Sequence, residues 1–258
     1  MIPKNLGELL SDSARQHPLR TAIVFGQKKI NYHHLDEAAS AIACGLIRLG
    51  IKKQDRVALF LDNCPEFIIG YYAILKAGAV AVPINHMFKA DEAAYILQDS
   101  QATCLVASRP YVDMAQDLQT RIDGLKYIVT TVKIKEEIPD FDKLKSHGKH
   151  EHLLNEISPE PNDLAVILYT SGTTGHPKGA MLSHYNLISN AMDSSAAIKA
   201  SRKEAFICVL PLFHSFAATV CMNMPLYLGA KIVIMKSFRP FRRVIRAIRK
   251  NRVTIFTG

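Results

Sequence analysis

The sequence lacks a disulfide frame. Its five cysteines, Cys44, Cys64, Cys104, Cys208 and Cys221, are odd in number, scattered and mostly set in apolar runs. That usage reads as buried thiols in a reducing compartment and gives no zinc-ligand spacing. No export signal is expected either, because residues 1–10 have no continuous apolar core; Leu6, Leu9, Leu10 and Ala14 instead suit one face of a short helix. No apolar stretch runs unbroken far enough to span a bilayer. Residues 67–84 are interrupted by Lys76, Gly78 and Pro83, and residues 216–235 by Asn223, Pro225, Gly229 and Lys231. Each reads as a buried helix, a glycine stop and a buried strand, against the roughly 20 apolar residues a span requires. The expected location is the cytoplasm. Internal repeats and low-complexity segments are absent as well, which excludes solenoid and fibrous architectures.

What remains is an ordinary globular composition: 258 residues, 48% hydrophobic and 21% charged. A chain of this length can bury roughly three quarters of its unfolded surface. Short solid apolar runs at residues 56–61, 79–82, 103–107, 127–131, 164–169, 205–210, 231–235 and 253–256 alternate with amphipathic stretches. This pattern predicts an α/β fold of mostly parallel sheets covered by helices. Residues 21–25 and 29–32 read as a hairpin around Gly26, and residues 35–49 as a helix stopped at Gly50. The rhythm lapses over residues 132–161, expected as an exposed connection between a first α/β part (1–131) and a second (162–258). His147, His150 and His152 fall there without partner ligands at a metal spacing, so they read as a solvated loop.

The most informative stretch is residues 164–179, LAVILYTSGTTGHPKG. A buried strand breaks into a loop with three glycines and four hydroxyls, and the stretch closes on Pro177, Lys178 and Gly179. Glycines allow close backbone approach to a ligand, and successive N–H groups with Ser and Thr hydroxyls and a lysine counter-charge make a polyphosphate cradle. The P-loop pattern fails: counting from Gly172, the sixth position is Pro177, and Lys178 is followed by Gly179 instead of Ser or Thr. The dinucleotide fingerprint fails for want of its third glycine.

Position for position, residues 169–179 resemble the phosphate-binding signature of the adenylate-forming (AMP-binding) enzymes, a superfamily that includes the acyl-CoA synthetases. Residues 72–84 (YAILKAGAVAVPI), 211–215 (PLFHS) and 253–258 (VTIFTG) are similar to further landmarks of acyl-CoA synthetases in the family's order, so the resemblance covers essentially the whole chain. PLFHS and the apolar helix after it look closest to medium- and long-chain fatty acid–CoA ligases. The resemblance implies two half-reactions: a carboxylate and ATP give acyl-AMP and pyrophosphate, and CoA then takes the acyl group and releases AMP. It implies that Ser171, Gly172, Thr173, Thr174 and Gly175 wrap the β- and γ-phosphates and that Lys178 pairs with them. Thr170 would help hold Mg²⁺, and Phe213 and His214 would shape the acyl pocket. Family motifs that supply a Mg²⁺-binding Glu, a ribose-binding Asp, a hinge and a C-terminal domain with its Lys have no counterpart before Gly258. The expectation is therefore the N-terminal part of the large domain, inactive by itself. The alternatives are a non-catalytic nucleotide- or partner-binding module, separable by the sequence beyond Gly258, and a basic peripheral membrane binder.

That last alternative rests on charge. The net charge is +9, and residues 236–252 carry eight basic side chains and no acidic one. On a helix, Phe241, Val244, Ile245 and Ile248 would share one face, with Arg242, Arg243, Arg246, Arg249 and Lys250 spread over the rest. Such a face suits anionic lipid. No helix-turn-helix, RNA-binding or zinc motif supports specific nucleic-acid binding.

Overall fold

The structure is a computed structural model that describes residues 3–146, 152–157, 159–170 and 177–257. In chain order its elements begin with α1 (Leu6–Gln16), β1 (Thr21–Phe25), β2 (Lys28–Asn31), α2 (Tyr32–Leu49), β3 (Arg56–Phe60), α3 (Pro65–Lys76) and β4 (Val80–Pro83). They continue with α4 (Ala90–Asp99), β5 (Ala102–Ala107), α5 (Val112–Arg121), β6 (Tyr127–Thr130), α6 (Phe141–Ser146) and α7 (His152–Asn155). The remainder are β7 (Leu164–Thr170), β8 (Lys178–Ser183), α8 (His184–Ala197), β9 (Ala205–Cys208), α9 (Ser215–Ala218), α10 (Met224–Leu228), β10 (Lys231–Ile234), α11 (Phe241–Asn251) and β11 (Ile255–Phe256). The fold is mixed α/β, as the alternation of apolar runs predicts. Among the described residues the only antiparallel strand pairs are β1–β2 and β7–β8.

The chain divides into two compact units, each built from separated stretches. The first comprises Met1–Glu37, Asp62–Ile69 and Tyr185–Gly258 and holds a five-stranded sheet ordered β11-β9-β10-β1-β2. Its interior strands β9, β10 and β1 are short and mainly apolar because both faces are covered; Ala22, Ile23, Phe206, Ile207 and Ile232 are fully buried. Tyr32 is buried with them, and its hydroxyl donates to the carbonyls of Ala230 (2.7 Å) and Pro225 (3.2 Å), which ties the start of α2 to the turn before β10. That turn needs Gly229: its φ is +69°, and a Cβ there would meet the His17 ring at 2.4 Å.

The second unit, Ala38–Leu61 and Gly70–His184, holds a six-stranded sheet ordered β6-β5-β3-β4-β7-β8. Ala58, Phe60, Val80, Val82, Leu105 and Ile167 belong to its main apolar cluster. Glycine again marks the helix-to-strand step, with Gly78 at φ +69° between α3 and β4. Both stretches that mimic membrane spans thus fold as helix, stop and strand, and no helix among the described residues is long and apolar enough to cross a membrane.

Lys178–Ser183 forms β8, an edge strand running antiparallel to β7 that the apolar pattern does not mark, and α8 follows from His184. Two local expectations are revised. The connection at 132–161 is not wholly exposed, since Phe141 and Leu144 of α6 are buried. A Cβ on Gly45 would lie 2.6 Å from the Leu144 Cβ and 2.7 Å from its carbonyl oxygen, so α6 is seated directly on α2. Finally, a place on the apolar face of α11 does not bring burial: Phe241 is 53% exposed, and Val244 alone on that helix is fully buried. His147 and His150 lie outside the described residues.

Candidate functional site

The signature loop springs from the β7–β8 hairpin in the second unit. Thr170 and Lys178 are cross-strand partners at its open end, with Tyr169 opposite Gly179 and Leu168 opposite Ala180 behind them. Both Thr170 and Lys178 are exposed. Ser171, Gly172, Thr173, Thr174 and Gly175 lie outside the described residues. The register brings the hydroxyl-bearing and lysine-bearing ends of the signature side by side, since directly opposed residues on one face of an antiparallel pair sit about 5 Å apart.

The hairpin's base is anchored by α4. The Tyr169 hydroxyl donates to Asp99 Oδ2 at 2.5 Å, and the Tyr95 hydroxyl donates to the Pro177 carbonyl at 3.2 Å. Burial, and then the Asp99 carboxylate, push the Tyr169 phenol well above its ordinary range, so it stays a proton donor. Gly179 is what lets the Tyr169 ring lie across the neighbouring strand. A Cβ there would fall 2.7 Å from Ile167 Cγ2 and 3.1 Å from Tyr169 Cζ. The closing glycine of the signature therefore has a packing reason, distinct from any ligand contact. At the other end of the hairpin, Lys53 pairs with Asp163 at 2.8 Å and Gln54 Nε2 donates to the Leu164 carbonyl at 3.2 Å.

Metal chemistry here is limited by the donors present. The described residues hold no group of three His, Cys, Asp or Glu able to cage a cation. The Thr170 hydroxyl is an exposed oxygen at the hairpin's end, which fits Mg²⁺ of the kind that takes most of its ligands from phosphate oxygens and water.

Phe213 and His214 belong to the first unit, in the turn between β9 and α9. His214 is exposed and caps α9: its Nδ1 accepts from the Phe216 backbone N–H at 3.3 Å. Of the residues that follow, Ala217, Ala218, Met222 and Met224 are buried, whereas Phe216 is 50% exposed. Thr219–Asn223 forms a π-helix between α9 and α10, a local irregularity common at functional sites.

Sequence reasoning missed the residue that holds this turn in place. Asn63 is 4% exposed. Its Nδ2 donates to the Leu210 carbonyl at 2.8 Å and the Met235 carbonyl at 3.2 Å, and its Oδ1 accepts from the Leu212 N–H at 2.8 Å. A polar amide between apolar runs was the available signal. Tyr95 and Asp99 carried none, since a helical tyrosine and a helix-terminal aspartate are ordinary on a surface. A cleft of about 540 Å³ in the first unit, bordered by His17, Arg202, Lys203, Tyr227 and Leu228, contains none of the predicted site residues.

Residues 10–258 match the AMP-binding enzyme family. The chain belongs to that family. It is 31% identical over 282 residues to a long-chain-fatty-acid–CoA ligase of Bacillus subtilis, covering 99% of this chain and 50% of that protein. It is also 31% identical over 261 residues to a crotonobetaine/carnitine–CoA ligase of Salmonella typhi, covering 98% of this chain and 50% of the relative. Among solved structures, a long-chain-fatty-acid–CoA ligase from Archaeoglobus fulgidus superposes with a TM-score of 0.90 at 27% identity, covering 98% of this chain and 51% of that one. The N-terminal domain of FACL13 from Mycobacterium tuberculosis gives 0.84 at 29% identity, covering 99% and 63%. The chain spans about half the length of the curated relatives it matches.

Proposed function

We propose that this chain is the N-terminal, phosphate-binding part of a cytoplasmic, AMP-forming carboxylate–CoA ligase whose substrates are medium- or long-chain fatty acids. The observation that carries the reading is the register of the β7–β8 hairpin. It sets Thr170 against Lys178 at the two ends of the glycine-rich loop, on a base locked by Tyr169, Gly179, Asp99 and Tyr95. A carboxylate is a poor electrophile, and attack of its oxygen on the α-phosphate of ATP turns that oxygen into a leaving group. Negative charge then accumulates on the departing pyrophosphate, where cations and N–H donors lower the barrier. In this reading Lys178 pairs with the β- and γ-phosphates, and Ser171, Gly172, Thr173, Thr174 and Gly175 cradle them. Thr170 contributes one oxygen to Mg²⁺, which supplies charge neutralisation when bound. Phe213 and His214 border the acyl group, and CoA accepts it in the second half-reaction. Groups that bind adenine and ribose are assigned to the length of the relatives this chain does not cover, so the chain by itself is inactive.

The test is carboxylate-dependent ATP–pyrophosphate exchange with acids from acetate to palmitate, run on this chain and on one extended to the end of its reading frame. Exchange confined to the extended form supports the reading, and the preferred acid names the substrate. Lys178→Ala in the extended form should lower exchange by about 100-fold, the size of effect removing one transition-state charge contact produces. No exchange in either form removes the ligase reading and leaves a non-catalytic phosphate-binding module.

A further inference from the structure

The fold brings two of the five cysteines together inside the first unit. Cys208 ends β9, and Cys221 lies in the π-helix between α9 and α10. Both are fully buried. Parallel pairing sets Phe256 beside Ile207, so Thr257 stands next to Cys208 where β9 and β11 end together. Cys221 reaches over this junction. Its Sγ is 2.9 Å from the Thr257 Oγ1 and 3.8 Å from the Ile207 carbonyl oxygen, and the Cys208 thiol donates to it. Cys208 Sγ is in turn 3.4 Å from the Leu210 carbonyl oxygen, and the Asn63 Nδ2 donates to it at 3.9 Å. A core cysteine that serves only as a small hydrophobe needs none of these polar partners.

We propose that Cys208 and Cys221 form a dithiol that a hydroperoxide oxidises reversibly to a disulfide, closing a ring around the turn that carries Phe213 and His214. Residues 209–220 lie within that ring. The two sulfurs have unequal roles. The hydrogen bond from Cys208, aided by that from Thr257, holds the Cys221 thiol below its ordinary range against burial. The same contact, and then burial, drives the Cys208 thiol well above it. Cys104, with burial alone acting on it, is pushed up to about 12. Cys221 is therefore the nucleophile and Cys208 the resolving thiol. The Cys221 thiolate attacks one peroxide oxygen; an S–O bond forms, the O–O bond breaks, and hydroxide leaves and takes up the proton that Cys221 released. Cys208 sulfur then attacks the sulfenic sulfur; the S–S bond forms, the S–O bond breaks, and the departing hydroxyl takes the Cys208 proton as water. Two electrons pass from the sulfurs to the peroxide, which ends as two waters. Burial restricts the oxidant to one about the size of water. A transient disulfide of this kind is compatible with a reducing compartment. The pairing follows from the sulfur geometry and does not depend on the proposed reaction.

The experiment exposes the folded chain to hydrogen peroxide, quenches it in denaturant containing dimedone, and maps every cysteine by mass spectrometry. The expected result is a product lighter by two hydrogens, a linked peptide pair joining Cys208 to Cys221, and return of both thiols on treatment with dithiothreitol. In the folded chain Cys221 should be consumed at least about 10-fold faster than Cys104, and in denaturant that difference should vanish. Cys208→Ser removes the resolving thiol but keeps a hydrogen-bond donor beside Cys221. In that variant Cys221 should be trapped as the dimedone-labelled sulfenic acid, whereas Cys221→Ser should leave Cys208 unlabelled. Circular dichroism checks that both variants are folded, and the mapping on the unsubstituted chain stands without them. No loss of two hydrogens, a link through Cys44, Cys64 or Cys104, equal rates for Cys221 and Cys104 in the folded chain, or dimedone on Cys208 in Cys221→Ser would each overturn the proposal.

Discussion

Replacing Asn63 by Ala should unfold the first unit's site-bearing turn before anything else in it. Asn63 is buried and makes three hydrogen bonds to backbone groups of one region: to the Leu210 and Met235 carbonyls, just past β9 and β10, and from the Leu212 N–H. Truncation strands those three groups away from water. At about 1 kcal/mol net for each bond, with a further cost for the void, the loss is about 3–5 kcal/mol. For a chain of this size that lowers Tm by roughly 10 °C. Urea unfolding followed by circular dichroism reads it as a fall in midpoint at unchanged slope. Asn63→Asp is the sharper variant. It keeps an acceptor for Leu212 N–H but turns a carboxylate toward two carbonyl oxygens, so it should be at least as damaging as Ala. A loss below about 1 kcal/mol for Ala, or a tolerated Asp, would refute the idea that this amide holds the Pro211–His214 turn.

Gly45→Ala should destabilise the second unit by about 1–3 kcal/mol, because the new methyl meets the backbone of Leu144; calorimetry would show it, and no loss would mean α6 is not seated on α2. Tyr169→Phe removes the donor to Asp99 at the hairpin base and should cost about 1 kcal/mol in denaturant titration while raising the KM for ATP in the extended enzyme. His184 is pushed down to about 4 by burial, against the opposing pull of Asp163. Between pH 6.5 and 4 the unfolded chain therefore binds more protons than the folded one, so stability is fully present above 6.5 and falls by about 1.4 kcal/mol per pH unit on acidification. His184→Gln should flatten that part of the stability–pH curve, and an unchanged slope would exclude His184 as its source.

The parts of the fold legible in the sequence are those where burial leaves a one-dimensional trace. Leu164–Thr170 and Arg56–Phe60 are interior strands of a mostly parallel sheet, so their apolar runs are solid. Lys178–Ser183 is an edge strand whose residues are all exposed or half-exposed, and KGAMLS shows neither a run nor an alternation. Its strand character comes from pairing with β7, a partner no local pattern announces. The same contrast separates the two kinds of site residue. Lys178 and the loop glycines stand out because a phosphate cradle requires unusual residues at close spacing. Asn63, Tyr95 and Asp99 hold the turn after β9 and the end of the β7–β8 hairpin through contacts set by topology: Asn63 reaches a residue 172 positions away. Phe241 shares the apolar face of α11 with Val244 yet is exposed, for a related reason. Helical periodicity states which residues share a face but not how wide the covered stripe is, and on α11 the sheet covers little beyond Val244. An apolar side chain at the edge of that stripe is left in water.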